Sequence, residues 1–230
     1  MARLEQEPEV NTPTKSTAAR YIPALRYAGL TPLYDPVLRW LMKEGRFKGD
    51  LIRQAGIRPG QKVLDLGCGT ATLTIQIKQA YPEAEVIGLD GDPRVLEIAR
   101  AKAARAGVSI TLDEGLSSNM PYADASIDRV VSSLLFHHLS TENKLATMAE
   151  AHRVLRPGGE MHVADFGRQR GLWSRLISTI TARLEQAGDN YAGQLPTFLH
   201  QAGFEHARET RHYPTFFGTL YLLEAYKTFS

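Results

Sequence analysis

The sequence holds a single cysteine, Cys68, among its 230 residues. One thiol excludes an internal disulfide and any zinc site built from several thiolates. It also disfavours arsenite-type acceptors, which would call for several thiolates. We therefore expect no metal centre, and nothing in the cysteine content requires an oxidising compartment.

An excess of charge of either sign is also lacking. Lys and Arg outnumber Asp and Glu by 27 to 25, which leaves no broad basic surface for following a nucleic-acid backbone. The first twenty residues contain no apolar run, so neither a signal peptide nor a membrane span is expected there. We expect a cytoplasmic protein with no nucleic-acid partner.

The chain is long enough for one large domain, since 43% of its residues are hydrophobic. Residues 1–18 are polar and predicted to be a flexible tail, because they can bury little apolar surface. Residues 19–230 are predicted to form a single domain. Its first part, 19–55, shows helical spacing of apolar residues, and 61–230 form an α/β core.

From Gln61 onward, short apolar runs alternate with helical stretches, which indicates βαβ units and a parallel sheet. The predicted strands are Lys62–Leu66, Glu85–Leu89, Ser109–Leu112, Asp128–Ser132 and Gly159–Asp165. The predicted helices between them are Leu73–Ala80, Pro93–Ala106 and Lys144–Leu155. The segment "RPGGE", Arg156–Glu160, is predicted as a tight turn that leads into the fifth strand.

The C-terminal part predicts two more helical stretches, "GLWSRLISTITARLEQAG" and "LPTFLHQAGF", followed by two strand-like runs. These runs, "ARETRHYPTFF" and "GTLYLLEAYK", are joined around Pro214–Gly218 with no helix between them. Consecutive strands of this kind indicate an antiparallel hairpin at the edge of the sheet.

The stretch "VLDLGCGTATLT", Val63–Thr74, predicts a strand, a glycine turn and a helix, a combination that brings backbone N–H groups close to a ligand. A nucleoside-triphosphate loop is excluded, because no lysine follows Gly69 until Lys78. A dinucleotide loop fits poorly, because Thr72 stands where a third Gly or Ala is expected.

Two acidic residues then separate the remaining ligands. Asp65, at the end of the first strand, would repel a pyrophosphate on the turn but attract S-adenosylmethionine, which carries an ammonium, a sulfonium and no phosphate. Asp90 ends the second strand about 20 residues beyond the turn, at the offset of a ribose-binding acid. The alternative is that both acids only cap helices.

The sequence resembles the class I S-adenosylmethionine-dependent methyltransferases, and within them the ubiquinone/menaquinone-biosynthesis group. The resemblance runs from about Tyr21 to the C-terminus and is carried by "VLDLGCGT", "VIGLDGDPRVLEIAR", "MPYADASIDRVVSSLLFHHL" and "EAHRVLRPGGEMHVADFGR". It implies a Rossmann-like sheet of seven mostly parallel strands with helices on both faces, an antiparallel C-terminal hairpin and a helical N-terminal lid.

The resemblance also implies where the cofactor lies. Gly67 and Gly69 would line its methionine part, with Cys68 and Thr70 in the same loop. Asp90 would bind the ribose, and Gly91 and Asp92 would lie beside the adenine. Ser133 would contact the methionyl end. Tyr34 and Arg39 would close the lid. These residues, Asp65, Leu116 and Ser117 are the predicted cofactor site.

Two positions depart from the family pattern. Ala71 replaces the third small residue of the turn, usually Gly, a change that a helix start tolerates. Leu116 stands where the family commonly has Asp or Asn to accept from the adenine amino group. Because Leu accepts no hydrogen bond, adenine recognition would fall to backbone groups near Leu116 and Ser117 and to apolar packing.

Methyl transfer mainly requires that the acceptor be held close, aligned and dry, with a base only if the acceptor carries a proton. The candidates are His137 and His138 in "FHHL" after the fourth strand, and Asp165 at the end of the fifth. The alternatives are that the histidines are rim residues at the next helix and that Asp165 pairs with Arg168 or Arg170.

We therefore expect an S-adenosylmethionine-dependent methyltransferase acting on a small, partly apolar acceptor, either quinone- or phenol-like or another small molecule, with C-, O- or N-methylation left open. One rival is a binding protein that has lost catalysis, for which Leu116 is the best support. The other is an NAD(P)-dependent oxidoreductase. The apolar stripe of residues 172–184 is expected to pack against the core, and the resemblance implies that its helix roofs the acceptor. The alternative, for a lipid or quinone substrate, is that it rests on a membrane.

Overall fold

The computed structural model describes residues 44–168, 188–215 and 218–229. The strands in chain order are β1 (Lys62–Leu66), β2 (Glu85–Asp90), β3 (Thr111–Glu114), β4 (Ile127–Ser133), β5 (Leu155–Phe166), β6 (Glu205–Thr215) and β7 (Gly218–Tyr226). They form one seven-stranded sheet in the order β3-β2-β1-β4-β5-β7-β6. The β1 to β5 neighbours pair in parallel, whereas β7 is antiparallel to both β5 and β6.

The helices in chain order are α1 (Glu44–Gln54), α2 (Thr72–Ala80), α3 (Pro93–Ala106), α4 (Thr141–Val154), α5 (Gly188–Tyr191) and α6 (Leu195–Gln201), with a 3-10 turn at Phe136–His138. Local chemistry sets several of their ends. Asp92 caps α3 by accepting from the N–H of Arg94, and Gly107 ends it in a left-handed conformation. Ser140 caps α4 by accepting from the N–H of Asn143.

Helices cover both faces of the sheet. Successive residues of a strand point to opposite sides, so each strand contributes side chains to both faces. On one face Leu64 and Leu66 pack with residues of α4 and α6. On the other face Val63 packs with residues of α1 and α2. Asp65 shares the alternation of Val63, so its side chain lies on the side of α1 and α2, at the carboxyl end of the strand.

Most of the predicted elements are confirmed. The observed β1 and α3 have the predicted bounds, the C-terminal hairpin is present, and α6 falls within the predicted "LPTFLHQAGF" helix. The prediction for the third strand was two residues too early. The N–H of Val108 closes the end of α3 by bonding to the carbonyl of Ala103, and pairing with β2 begins only at Thr111.

The tight turn predicted at Arg156–Glu160 is wrong as a boundary, because these residues lie inside β5. Leu155 pairs with Ile127 and Glu160 with Arg129, so the strand bulges between them. Gly158 has φ 76°, and its N–H donates to the carbonyl of Lys227. The bulge is held by Lys227, the residue after β7, and a local sequence pattern does not reveal this contact.

Several predictions fall on residues that the structure does not describe. These are the 1–18 tail, the part of the predicted lid before Glu44, and the apolar stripe of 172–184. The described helices include none with both the length and the apolar character that crossing a membrane requires.

We predict that Lys227→Met lowers the free energy of unfolding by about 1–3 kcal/mol. The ammonium of Lys227 donates to the carbonyls of His152 and Leu155 at 2.7 Å each and lies 3.5 Å from that of Arg153. It thereby satisfies carbonyls that the end of α4 leaves without helical partners. Urea denaturation of the two proteins measures the difference.

Arg46→Met, which removes an exposed cation on α1, is the control and should change the free energy of unfolding by less than about 0.5 kcal/mol. Equal effects of the two substitutions would show that Lys227 does not act as a cap.

Candidate active site

The glycine turn between β1 and α2 directs its backbone N–H groups towards β2. The N–H groups of Gly67 and Cys68 donate to the carbonyl of Leu89 at 2.9 and 3.0 Å. The N–H of Gly69 donates to Oδ2 of Asp90 at 2.8 Å. Three successive donors are therefore used within the protein.

This arrangement corrects the expectation that the turn offers free N–H groups to a ligand. A phosphate cradle works because several unpaired N–H groups converge on the anion. At Gly67, Cys68 and Gly69 those groups are paired with β2. The turn is therefore shaped for close approach of a ligand but is poorly suited to hold a diphosphate.

Asp65 lies beneath this turn and is 1% exposed. The hydroxyl of Thr74 on α2 donates to its Oδ2 at 2.6 Å. Burial raises the pKa of the Asp65 carboxyl to about 6, against the lowering effects of the Thr74 hydrogen bond and of the Lys48 charge. A carboxylate that is costly to ionise at neutral pH is more typical of a ligand site than of a structural ion pair.

Asp90 and Asp92 make different contacts at the end of β2. Asp90 accepts from Gly69 through one oxygen and from the N–H of Asp92, at 3.0 Å, through the other. Each carboxylate oxygen keeps a second lone pair, so the half-buried Asp90 can still accept from ribose hydroxyls. The helix cap is Asp92, and neither Asp65 nor Asp90 caps a helix.

Cys68 points away from the open side of the turn. Its thiol is 8% exposed, and burial raises the pKa of that thiol strongly. A Cβ built at Gly88 would lie 2.8 Å from the sulfur, so the glycine of β2 makes room for this side chain. Contact between Cys68 and a ligand would have to come from its backbone.

Ala71 does not sit in an ordinary helix start, contrary to the expectation from sequence. It adopts φ 57° and ψ 31°, a left-handed conformation that costs a residue with a Cβ about 1–2 kcal/mol. Its methyl group is completely buried with Ile75, Ala99 and Ala103, and this packing offsets part of the strain. The usual glycine would be unstrained here.

The predicted adenine side of the site lies next to Asp90. The carbonyl of Asp90 accepts from the N–H of Gly115 at 3.0 Å, which brings the loop containing Leu116 to the end of β2. Leu116 is 41% exposed, a high value for so apolar a side chain. The Ser117 hydroxyl lies 2.9 Å from that of Thr147, so this hydroxyl has a partner within the protein. The role of Leu116 and Ser117 in adenine binding stays a prediction.

Ser133, predicted to contact the methionyl end, carries an orphaned polar atom. Its Oγ is buried and has no hydrogen-bond partner among the described residues. A buried hydroxyl without a partner costs free energy, and a ligand that pairs with it recovers that cost. Nearby, a Cβ at Gly67 would lie 2.8 Å from the Leu135 side chain, so the end of β4 packs directly on the glycine turn.

His137 and Asp165 form a buried pair at the carboxyl ends of β4 and β5. His137 Nδ1 lies 2.8 Å from Asp165 Oδ1, and the two side chains are 6% and 0% exposed. Asp165 also accepts from the N–H groups of Phe136 at 2.7 Å and Phe166 at 2.8 Å. Because an ionised carboxylate only accepts, Nδ1 of His137 carries the proton.

The described side-chain partners of Asp165 are His137 and Asn190. Of the two arginines considered from sequence, Arg170 falls outside the described residues. His138 lies next to His137, with ring centroids 3.9 Å apart, and is exposed. Desolvation by the surrounding protein lowers the pKa of His138 to about 4, and charge repulsion from the neighbouring His137 lowers it further.

The described residues thus bring together most of the predicted site, but not all of it. Gly69 and Thr70 lie half-buried at the turn, and Gly91 lies beside Asp90. Tyr34 and Arg39 fall outside the described residues. Sequence reasoning missed Thr74 and Lys48, whose roles depend on helix packing, and Asn190, which comes from a distant helix and had no local pattern to mark it.

Comparison with known proteins identifies the fold and the family. A family model described as a methyltransferase domain matches residues 63–159, which run from β1 into β5. The protein YcgJ of Bacillus subtilis has the same fold, with a TM-score of 0.66 at 15% identity over 79% of this chain and 97% of that one.

Two relatives are similar in sequence. An uncharacterised methyltransferase of Synechocystis is 32% identical over 72% of this chain and 77% of its own length. A demethylmenaquinone methyltransferase of Deinococcus radiodurans is 32% identical over 61% of this chain. That match spans 58% of the Deinococcus protein, less than two thirds of its length.

The fold and the comparisons define a methyltransferase built on a mostly parallel seven-stranded sheet. The chain belongs to the S-adenosylmethionine-dependent methyltransferases.

We predict that Asp65→Asn stabilises the ligand-free protein while weakening cofactor binding. In the unfolded chain the carboxyl titrates near its ordinary pKa of 3.8, and in the folded protein near 6. The folded state therefore carries an ionisation cost that is complete above pH 6 and disappears as pH falls to 3.8. Asn still accepts from Thr74, so at pH 7.5 the variant should gain up to about 3 kcal/mol.

Urea denaturation between pH 4 and 8 measures the gain, which should shrink as pH falls from 6 to 4. Calorimetry should show S-adenosylmethionine binding weakened by about tenfold or more, since a charge attraction is lost. Asp124→Asn, at a side chain 78% exposed, is the control for loss of a carboxylate. A less stable Asp65→Asn protein with unchanged affinity would mean that Asp65 serves the fold alone.

Proposed function

We propose that this enzyme transfers a methyl group from S-adenosylmethionine to a small, partly apolar acceptor of phenol or quinol type. The observation that carries the choice of cofactor is the glycine turn, whose three paired N–H groups and underlying carboxylate disfavour a diphosphate. The buried hydroxyl of Ser133, which has no partner among the described residues, supports it, because the resemblance puts the methionyl end of the cofactor at this position.

The residues present fit this cofactor. Asp65 offers a negative charge for the cationic end, Asp90 offers acceptors for ribose hydroxyls, and the loop at Leu116 offers apolar surface and backbone groups for the purine. When bound, S-adenosylmethionine supplies an electrophilic methyl group on a positively charged sulfur. Bond formation by the acceptor breaks the carbon–sulfur bond, and the electron pair stays on sulfur.

The acceptor class is supported by a row of rings at the ends of β4 and β5. His138 stacks near His137, His137 meets Phe166 edge to face at 5.2 Å, and Phe166 lies 6.2 Å from Tyr191. Flat aromatic molecules pack well against such edges and faces. The similarity to the demethylmenaquinone methyltransferase of Deinococcus radiodurans points to the same class.

His137 is the better candidate for the base. A general base works best when its pKa lies near the working pH, and a pKa of about 4 makes His138 a weak proton acceptor at neutral pH. In contrast, the Asp165 carboxylate fixes the His137 ring and stabilises a positive charge on it. The proton of an acceptor hydroxyl would go to Nε2 of His137, while His138 packs against the acceptor.

The proposed location is the cytoplasm and the proposed partner is a small molecule, without nucleic acid. The single cysteine and the balanced charge support both statements. If the acceptor is a lipid or quinone, peripheral contact with a membrane becomes part of the proposal.

The test is production of S-adenosylhomocysteine from S-adenosylmethionine over a panel of quinols, phenols, amines and phospholipids. We expect turnover with hydroxyl-bearing aromatics, a fall in kcat of about a hundredfold or more in His137→Gln, and less than tenfold in His138→Gln. His212→Gln, at an exposed position on β6, is the control. Absence of turnover over the whole panel, with cofactor binding intact, would support a binding protein instead.

A further inference from the structure

Asn190 on α5 is a completely buried amide beside the His137–Asp165 pair. Its Nδ2 donates to Asp165 Oδ1 at 3.3 Å. The reverse orientation of the amide would place its oxygen against the carboxylate, which is repulsive, so the orientation is fixed by Asp165. The backbone carbonyl of Asn190 is already used by the N–H of Gly193.

The side-chain oxygen of Asn190 is left without a partner. In the part of the chain that the structure describes, three buried side-chain polar atoms are unpaired, and they belong to Gln76, Ser133 and Asn190. Two of the three flank the predicted reaction centre, since Ser133 pairs with Ala164, the residue before Asp165. Orphaned buried acceptors are uncommon and concentrate at functional sites.

Asn190 is also held firmly in place. The neighbouring Asp189 accepts from the hydroxyl of Thr141 and lies 3.5 Å from the ammonium of the buried Lys144, both on α4. The short helix α5 is thereby tied to α4 through Asp189 and to β5 through Asn190. Because the Asn190 side chain is already fixed, a ligand that binds its oxygen does not have to order it. Such preorganisation favours a selective contact.

We propose that Oδ1 of Asn190 accepts a hydrogen bond from the methyl acceptor, so that the acceptor presents an O–H or N–H donor beside the reacting atom. This inference rests on the proposed function and narrows it. Acceptors with a hydroxyl or amine are favoured, and fully oxidised quinones or purely apolar molecules are rejected, because they would leave the oxygen unpaired.

The closed surroundings of Asn190 strengthen the contact. No water competes at an oxygen closed off from solvent, so a donor that reaches it gains a full hydrogen bond. Reaching a completely buried oxygen has a cost that ligands of similar shape share. Comparison of ligands with and without the donor, in the wild type and in Asn190→Leu, therefore isolates the contact.

The experiment uses the full chain saturated with S-adenosylhomocysteine and two matched pairs of probes, 1-naphthol with 1-methoxynaphthalene and 1-naphthylamine with N,N-dimethyl-1-naphthylamine. We expect at least one donor-bearing probe to bind about tenfold or more tightly than its methylated partner. Asn190→Leu should reduce that preference to about one and leave the affinity for S-adenosylhomocysteine unchanged. Asp189→Asn, which alters α5 but keeps Asn190, should retain the preference.

The wild-type comparison alone is decisive if Asn190→Leu does not fold, since equal binding of both members of each pair would overturn the proposal. A preference that persists in Asn190→Leu would overturn it too, as would S-adenosylhomocysteine binding with no binding of either donor-bearing probe. Failure to bind S-adenosylhomocysteine is a different result, because it would reject the proposed cofactor rather than the role of Asn190.

Discussion

The pairing of the glycine turn with β2 determines what this site can hold. The N–H groups of Gly67, Cys68 and Gly69 donate to Leu89 and Asp90. The turn therefore lets a ligand approach closely but offers it no array of free donors at these three residues. The first glycine has φ 70° and leaves no room for a Cβ beside Leu135. A ligand can thus approach the backbone closely, but the turn does not bind anions as glycine turns with free N–H groups do.

The charges around the turn complete this selectivity. Asp65 is buried beneath it and Asp90 lies at its side, so a diphosphate would meet two carboxylates and few donors. A sulfonium is positively charged, so the same two carboxylates attract it and it needs no N–H donors. In the proposed function, the carboxylate that attracts the cation lies at the end of β1, and the pair that would accept a proton lies at the ends of β4 and β5. The acceptor would lie between them, near the unpaired atoms of Ser133 and Asn190.

Sequence alone predicted the features that depend on short-range patterns. The strand, turn and helix around Asp65, the bounds of α3 and the C-terminal hairpin follow from alternation and capping residues. The bulge in β5 was missed because it is held by Lys227, some 70 residues away. The left-handed Ala71 and the pairing of Asn190 with Asp165 were missed for the same reason, since each depends on distant packing.

The central claim concerns the sign of the charge that the turn accepts, and a pair of calorimetric titrations at pH 7.5 tests it directly. One uses S-adenosylmethionine and the other NADH, which shares the adenosine but carries a diphosphate. The account predicts heat and a single site for S-adenosylmethionine and no measurable binding of NADH. Binding of NADH, with none of the sulfonium compound, would contradict it.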